Sequence, residues 1–177
     1  MKYLRKAKNA ALKALKEAGI DQAPVDVFAV ATALGVQCRA AELGDDVSGL
    51  LVMKHGTPVV GYNRRHSKSR QRFTVAHELA HYRLHVTPDD LFIDKGVMMW
   101  HRDEKSSTGE DQNEKEANAF AAELLMPESF IEKEIGERGL QLSDDSDIEV
   151  LAQVFEVSVQ AMTFRLLNLN IIRSTLN

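Results

Sequence analysis

Most of the chain carries apolar residues at helical spacing, interrupted by three short runs at strand spacing, and this alternation predicts an α+β fold. Residues 3–18 place Leu4, Ala7, Ala11, Leu12 and Leu15 on one face and lysines on the other. The pattern is that of an amphipathic cover helix with a solvated lysine face, ended by Gly19. Pro24 opens a second helix through Val27, Phe28, Val30, Ala31 and Leu34, and Gly35 stops it. The runs 36–41, 48–53 and 58–63 follow, the last two joined by a turn at 54–57, and are expected to form a small antiparallel three-stranded sheet. The run 48–53 is the candidate edge strand for an extended peptide; the other reading is that the strands only shield the core.

Val75, Ala76, Leu79, Ala80 and Leu84 define a helix over 67–86, free of Gly and Pro, with Ser67 or Ser69 as N-cap and Pro88 beyond its end. Residues 86–109 read as a long mixed connection, functional or mobile. Within it Met98, Met99 and Trp100 suit either an apolar subsite or the core, and His101 has no partner at metal spacing. A helix over 110–125 comes next, and Pro127 opens another through Phe130, Ile131 and Ile135, ending near Gly136 or Gly139. After an acidic, Ser-rich linker at 140–147, residues 148–155 and 159–167 read as helix, turn and helix, with Ser158 as N-cap. The expected division is a domain at 1–139 and a small helix-turn-helix-like unit at 146–177, packed on it or linked to it.

The chemistry concentrates in His77-Glu78-Leu79-Ala80-His81. Residues four apart on a helix differ by about 40° around the axis and about 6 Å along it, so both imidazoles can converge on one ion. Glu78 lies about 100° further round, where its carboxylate reaches a water beside the metal without becoming a ligand. His85 lies about 12 Å along the axis from His77, too far to share the ion, and fits the helix C-terminus instead.

A catalytic zinc takes three protein ligands, so a third donor must come from elsewhere. On the 110–125 helix the apolar arc runs through Ala117, Phe120, Ala121, Leu124 and Leu125. With Ala117 at 0°, Glu114 falls at about 60°, inside that arc, whereas Glu116 and Glu123 fall at about −100° and about −120°, on the side read as wet. A carboxylate on a buried face needs a metal or countercharge, which selects Glu114 as third ligand over Glu116. Asn118, one turn on, is placed to hydrogen-bond a metal-binding histidine from behind.

Composition changes this picture little. At 177 residues, 44% hydrophobic and 27% charged, the chain has the make-up of a soluble globular protein. A formal net charge of −4 gives no electrostatic case for nucleic acid, and the final helix carries Arg165 amid acidic surroundings, so packing or partner docking is favoured there over DNA contact. The single cysteine, Cys38, sits in a strand-like run and is read as a packed thiol. With no signal-peptide core and no stretch of roughly 20 apolar residues, a cytoplasmic location without membrane contact is expected.

With Arg72-Phe73-Thr74-Val75-Ala76-His77-Glu78-Leu79-Ala80-His81 and the block from Glu114 through Asn118 to Pro127 in hand, the chain closely resembles the ImmA/IrrE family of zinc metallopeptidases over at least residues 24–130. The resemblance implies a minimal, gluzincin-like zincin domain in a bacterial, phage or mobile-element setting. It implies His77, His81 and Glu114 as ligands of one Zn2+, with Mn2+ the other candidate, and Glu78 as catalytic base. Tyr62, His85 and Arg72 are the candidate donors to a transition-state oxyanion. The implied substrate is a helix-turn-helix repressor of XRE type, cleaved to relieve repression after stress. The competing reading is a zinc-stabilised regulatory or toxin-like module that acts on a repressor by contact, without proteolysis.

Overall fold

Short polar side chains begin several of the helices. The computed structural model describes residues 2–44, 46–54, 56–86, 98–100, 108–142 and 144–173. Helix α1 spans Lys2–Ala18. Helix α2 (Val27–Ala33) starts at Asp26, whose carboxylate accepts from the backbone N–H of Phe28 and Ala29, so Asp26 and not Pro24 opens it. Helix α3 (Lys68–Leu84) starts at Ser67, whose hydroxyl accepts from Arg70 N–H, and closes on His85. Helix α4 covers Thr108–Leu125, and α5 (Glu128–Arg138) follows Pro127 and ends on Gly139 at φ 66°, a left-handed turn that glycine adopts without strain. Asp144 caps α6 (Asp145–Phe155) and Ser158 caps α7 (Val159–Asn168).

Strands β1 (Gln37–Ala41), β2 (Gly49–Lys54), β3 (Thr57–Asn63) and β4 (Met98–Trp100) form a four-stranded sheet in the order β1-β3-β2-β4. The expected hairpin is present, β2 running antiparallel to β3 from Gly49 opposite Tyr62 to Lys54 opposite Thr57. The sheet as a whole is mixed, however, because β1 pairs parallel with β3. The connection 42–48 has to cross β3 to reach the far side, and Asn63 holds it there. Its buried side-chain amide donates to the carbonyls of Leu43, Gly44 and Val47 at 3.3, 3.2 and 3.0 Å. Strand β2 is also not the free edge expected of it: β4 pairs antiparallel with Leu51, Val52 and Met53, leaving Gly49 and Leu50 outside that register. The expectations for Pro88, the 91–93 run and His101 fall outside the described residues, as do the side chains of Met98, Met99 and Trp100.

The helices pack on one another and on the sheet around a continuous core that includes Val60, Leu79, Phe120, Leu124, Leu151, Phe155 and Leu166. Because Ile148, Leu151, Phe155, Met162 and Leu166 belong to that cluster, α6 and α7 share a core with α3 and α4. The buried stripe of α1 is Ala7, Ala11, Ala14 and Leu15, while Leu4 and Leu12 stay about 40% exposed. Small side chains let α1 lie close against α4, which buries Ala117 and Ala121, and the larger leucines flank the contact. Nor is the lysine face only solvated: Lys6 reaches Glu116 at 3.7 Å and Lys8 reaches Glu128 at 2.5 Å. No single described helix is long and apolar enough to cross a membrane.

Candidate metal centre

Helices α3 and α4 pack side by side, so residues one turn apart on the first face residues one turn apart on the second. His77 and His81 point the same way, with their Nε2 atoms 3.0 Å apart. Across the helix pair, the Glu114 carboxylate lies 3.5 Å from His77 Nε2 and 3.2 Å from His81 Nε2. One donor atom from each of the three falls within 4.8 Å of the others, a group that could hold a metal ion. Two imidazoles and a carboxylate suit zinc and leave a further coordination position open.

The reverse sides of the two rings are held differently. His77 Nδ1 lies 3.1 Å from Asn118 Oδ1, the contact expected of Asn118. His81 Nδ1 lies 3.1 Å from His85 Nδ1, and His85 Nε2 lies 3.3 Å from Glu116 Oε2. Burial and the neighbouring His77 pull the pKa of His81 down to about 4. The ring is therefore neutral at pH 7, so its approach to Glu114 is not an ion pair there, and it keeps a lone pair for a cation. Burial likewise lowers His85, against the opposing pull of Glu116. For Glu116, burial pushes upward but is outweighed by hydrogen bonds from Gln112 and His85 and by the charge of Lys6, so the carboxylate is held ionised.

The helical-wheel reasoning reached Glu114 through a mistaken premise. Glu114 is partly exposed, its side chain 32% accessible, whereas Glu116 and Glu123 are 4% and 2% exposed. The arc read as wet is covered: α1 brings Lys6 to Glu116, and α7 brings Arg165 to Glu123, where the guanidinium donates to one carboxylate oxygen and to Met126 O.

Glu78 is half-buried one position after His77, on the side of α3 that meets β2. Gly49 of β2 lies against it. A Cβ at Gly49 would come within 3.4 Å of the Glu78 carboxylate and 2.2 Å of the Thr74 methyl, so only glycine permits this approach of strand to helix. The sequence reading missed Gly49, whose sole signal is a glycine at the start of a strand-like run.

The three oxyanion candidates each have partners of their own. Arg72 is buried at the other end of α3, donating to Val25 O at 2.9 Å and Phe155 O at 3.3 Å and pairing with Glu156 at 3.0 Å. Tyr62 stacks at a tilt on Phe28, ring centroids 5.6 Å apart, and with Arg72, Lys68 and Glu156 lines a cavity of about 570 Å³ that none of the three candidate ligands borders. His85 stands behind His81. Cys38, half-buried in β1, has its thiol pKa raised to about 11 by burial, which suits a packed and unreactive thiol.

Comparison with known proteins adds an independent line. The family described as Peptidase_M78, the IrrE N-terminal-like domain, matches residues 31–167. Among solved structures, a Mycobacterium tuberculosis transcriptional regulator superposes with a TM-score of 0.64 at 18% sequence identity, over 92% of this chain and 46% of the other. That likeness supports the α+β fold, and the chain spans about half the length of that regulator. No curated protein matches the chain.

Proposed function

We propose, from the premise that this chain belongs to the Peptidase_M78 family, that it is a zinc-dependent endopeptidase cutting a helix-turn-helix repressor to relieve repression. The observation that carries the reading is the convergence of His77, His81 and Glu114 within 4.8 Å, with Glu78 next to His77 on the same helix. His77, His81 and Glu114 would hold the ion, and Asn118 would keep the His77 ring aligned from behind. Lewis acidity towards water and the scissile carbonyl is the chemistry that zinc, or manganese in its place, would supply when bound. Glu78 then takes the proton of the attacking water and delivers it to the leaving amine, acting as general base and afterwards as general acid.

A regulatory setting is our extension from the family, and the repressor remains the inferred substrate. The test incubates purified protein and zinc with a purified candidate repressor of XRE type and reads the products by mass spectrometry. New termini are expected with the native chain and none with Glu78→Gln, which should still bind zinc. A stable complex that yields no new termini would instead support action by contact.

A further inference from the structure

Behind His81 stands a chain of polar side chains that ligation alone does not require. His85, the residue that ends α3, turns its Nδ1 to His81 Nδ1 at 3.1 Å and its Nε2 to Glu116 Oε2 at 3.3 Å. Glu116 is 4% exposed, and its other oxygen accepts from Gln112 Nε2 at 2.9 Å. Lys6 of α1 approaches the same carboxylate at 3.7 Å and the carbonyl of Leu84 at 3.5 Å, bridging it to the end of α3. Burying a carboxylate is costly unless its charge and lone pairs are met, and here the partners sit in line behind one candidate ligand.

The direction of every hydrogen bond in this chain follows from one condition. If His81 offers the Nε2 lone pair to an ion, its only proton is on Nδ1. His85 Nδ1 must then accept, which places the His85 proton on Nε2, pointed at an ionised Glu116. No alternative arrangement lets His81 ligate and satisfies both contacts with neutral rings.

The geometry points to His85 and Glu116 as a positioning pair that fixes the tautomer and orientation of His81 and raises metal affinity, without touching metal or substrate. His77 gets the same service from a single exposed amide, Asn118. The family match begins at residue 31, so Lys6 ties the pair to a helix outside the matched region. The inference rests on the metal-site reading proposed above.

The experiment uses the full chain and zinc alone, with affinity measured by competition against a chromophoric chelator and metal-free stability followed by thermal unfolding. His85→Leu is expected to weaken zinc binding about 10- to 100-fold, the usual range for losing such a partner. His85→Asn puts an amide oxygen near the Nδ1 position and is expected to recover most of that loss, which simple filling of space would not do. In the zinc-loaded native protein, nitrogen-15 shifts should report His85 as the neutral Nε2–H tautomer. This last readout needs no variant to fold. Binding by His85→Leu within twofold of the native chain, no rescue by His85→Asn, or an Nδ1–H tautomer at His85 would each overturn the inference while leaving the metal site intact. A native chain that binds no zinc overturns the metal-site reading and this inference with it.

Discussion

The two ends of α3 use their polar side chains in opposite ways, buried at the first and half-buried at the second. At the N-terminal end, Gln71 donates to the carbonyls of Arg64 and His66, and Arg72 donates to those of Val25 and Phe155. These donors reach main-chain acceptors of other segments and a further Arg72 nitrogen pairs with Glu156, leaving Arg72 Nε buried without a partner, so polarity there serves mainly to staple α3 to its surroundings. At the other end His77 and His81 turn Nε2 atoms to each other and to a carboxylate, while their Nδ1 atoms are held from behind. Ring nitrogens and a carboxylate are gathered there on side chains, an arrangement that a cation reconciles. Donors directed at main-chain carbonyls mark the structural end of the helix, and converging ring nitrogens and a carboxylate mark the chemical one.

The strongest way to break this contrast is to remove charge at each end in turn. Glu78→Gln is expected to lower peptide hydrolysis by about 100- to 10,000-fold, the usual worth of a positioned base, while zinc stoichiometry and unfolding temperature hold steady. Comparable turnover in a kinetic assay would place the base elsewhere. Arg72→Leu should do the reverse. Leaving the carbonyls of Val25 and Phe155 unpaired costs about 2 to 4 kcal/mol in urea unfolding, with zinc affinity of the folded fraction unchanged.

Gly49 sits where the two ends meet. Gly49→Ala forces a methyl against Thr74 and is expected to cost about 1 to 3 kcal/mol, together with a fall in turnover as β2 moves away from Glu78. An unfolding curve matching the native one would show that the strand yields more readily than the contact distances imply.

Per unit of pH, the most gradual effect is a slope in stability. The pKa of His81 drops from the ordinary 6.5 to about 4 on folding, so the unfolded chain binds the proton more tightly. Stability of the metal-free protein is therefore full above pH 6.5 and is lost as pH falls towards 4, by at most about 1.4 kcal/mol per pH unit from this group. Thermal melts across that window check it, and His81→Gln should flatten the slope.

Local signals were legible where one helix or one turn decides the outcome. The spacing of His77 and His81 and the cap at Ser158 follow from a few adjacent residues, and between the local alternatives the structure takes Ser67 over Ser69 and Gly139 over Gly136. The direction of β1 was not legible, because it depends on Asn63 holding a crossing connection through three carbonyls. Of the expected oxyanion donors, Arg72 is engaged with Val25, Phe155 and Glu156, and His85 turns its nitrogens to His81 and Glu116.

Sequence by itself determined which residues can reach one ion, since the pitch of a helix sets the separation of His77 and His81 whatever surrounds them. Tertiary structure decided which carboxylates are buried and what they do. A helical wheel finds one apolar arc, yet α4 is covered on further sides by α1 and α7, and the partners that bury Glu116 and Glu123 come from residues 6 and 165. Burial of a charged side chain is a property of distant segments meeting, and no local period encodes it.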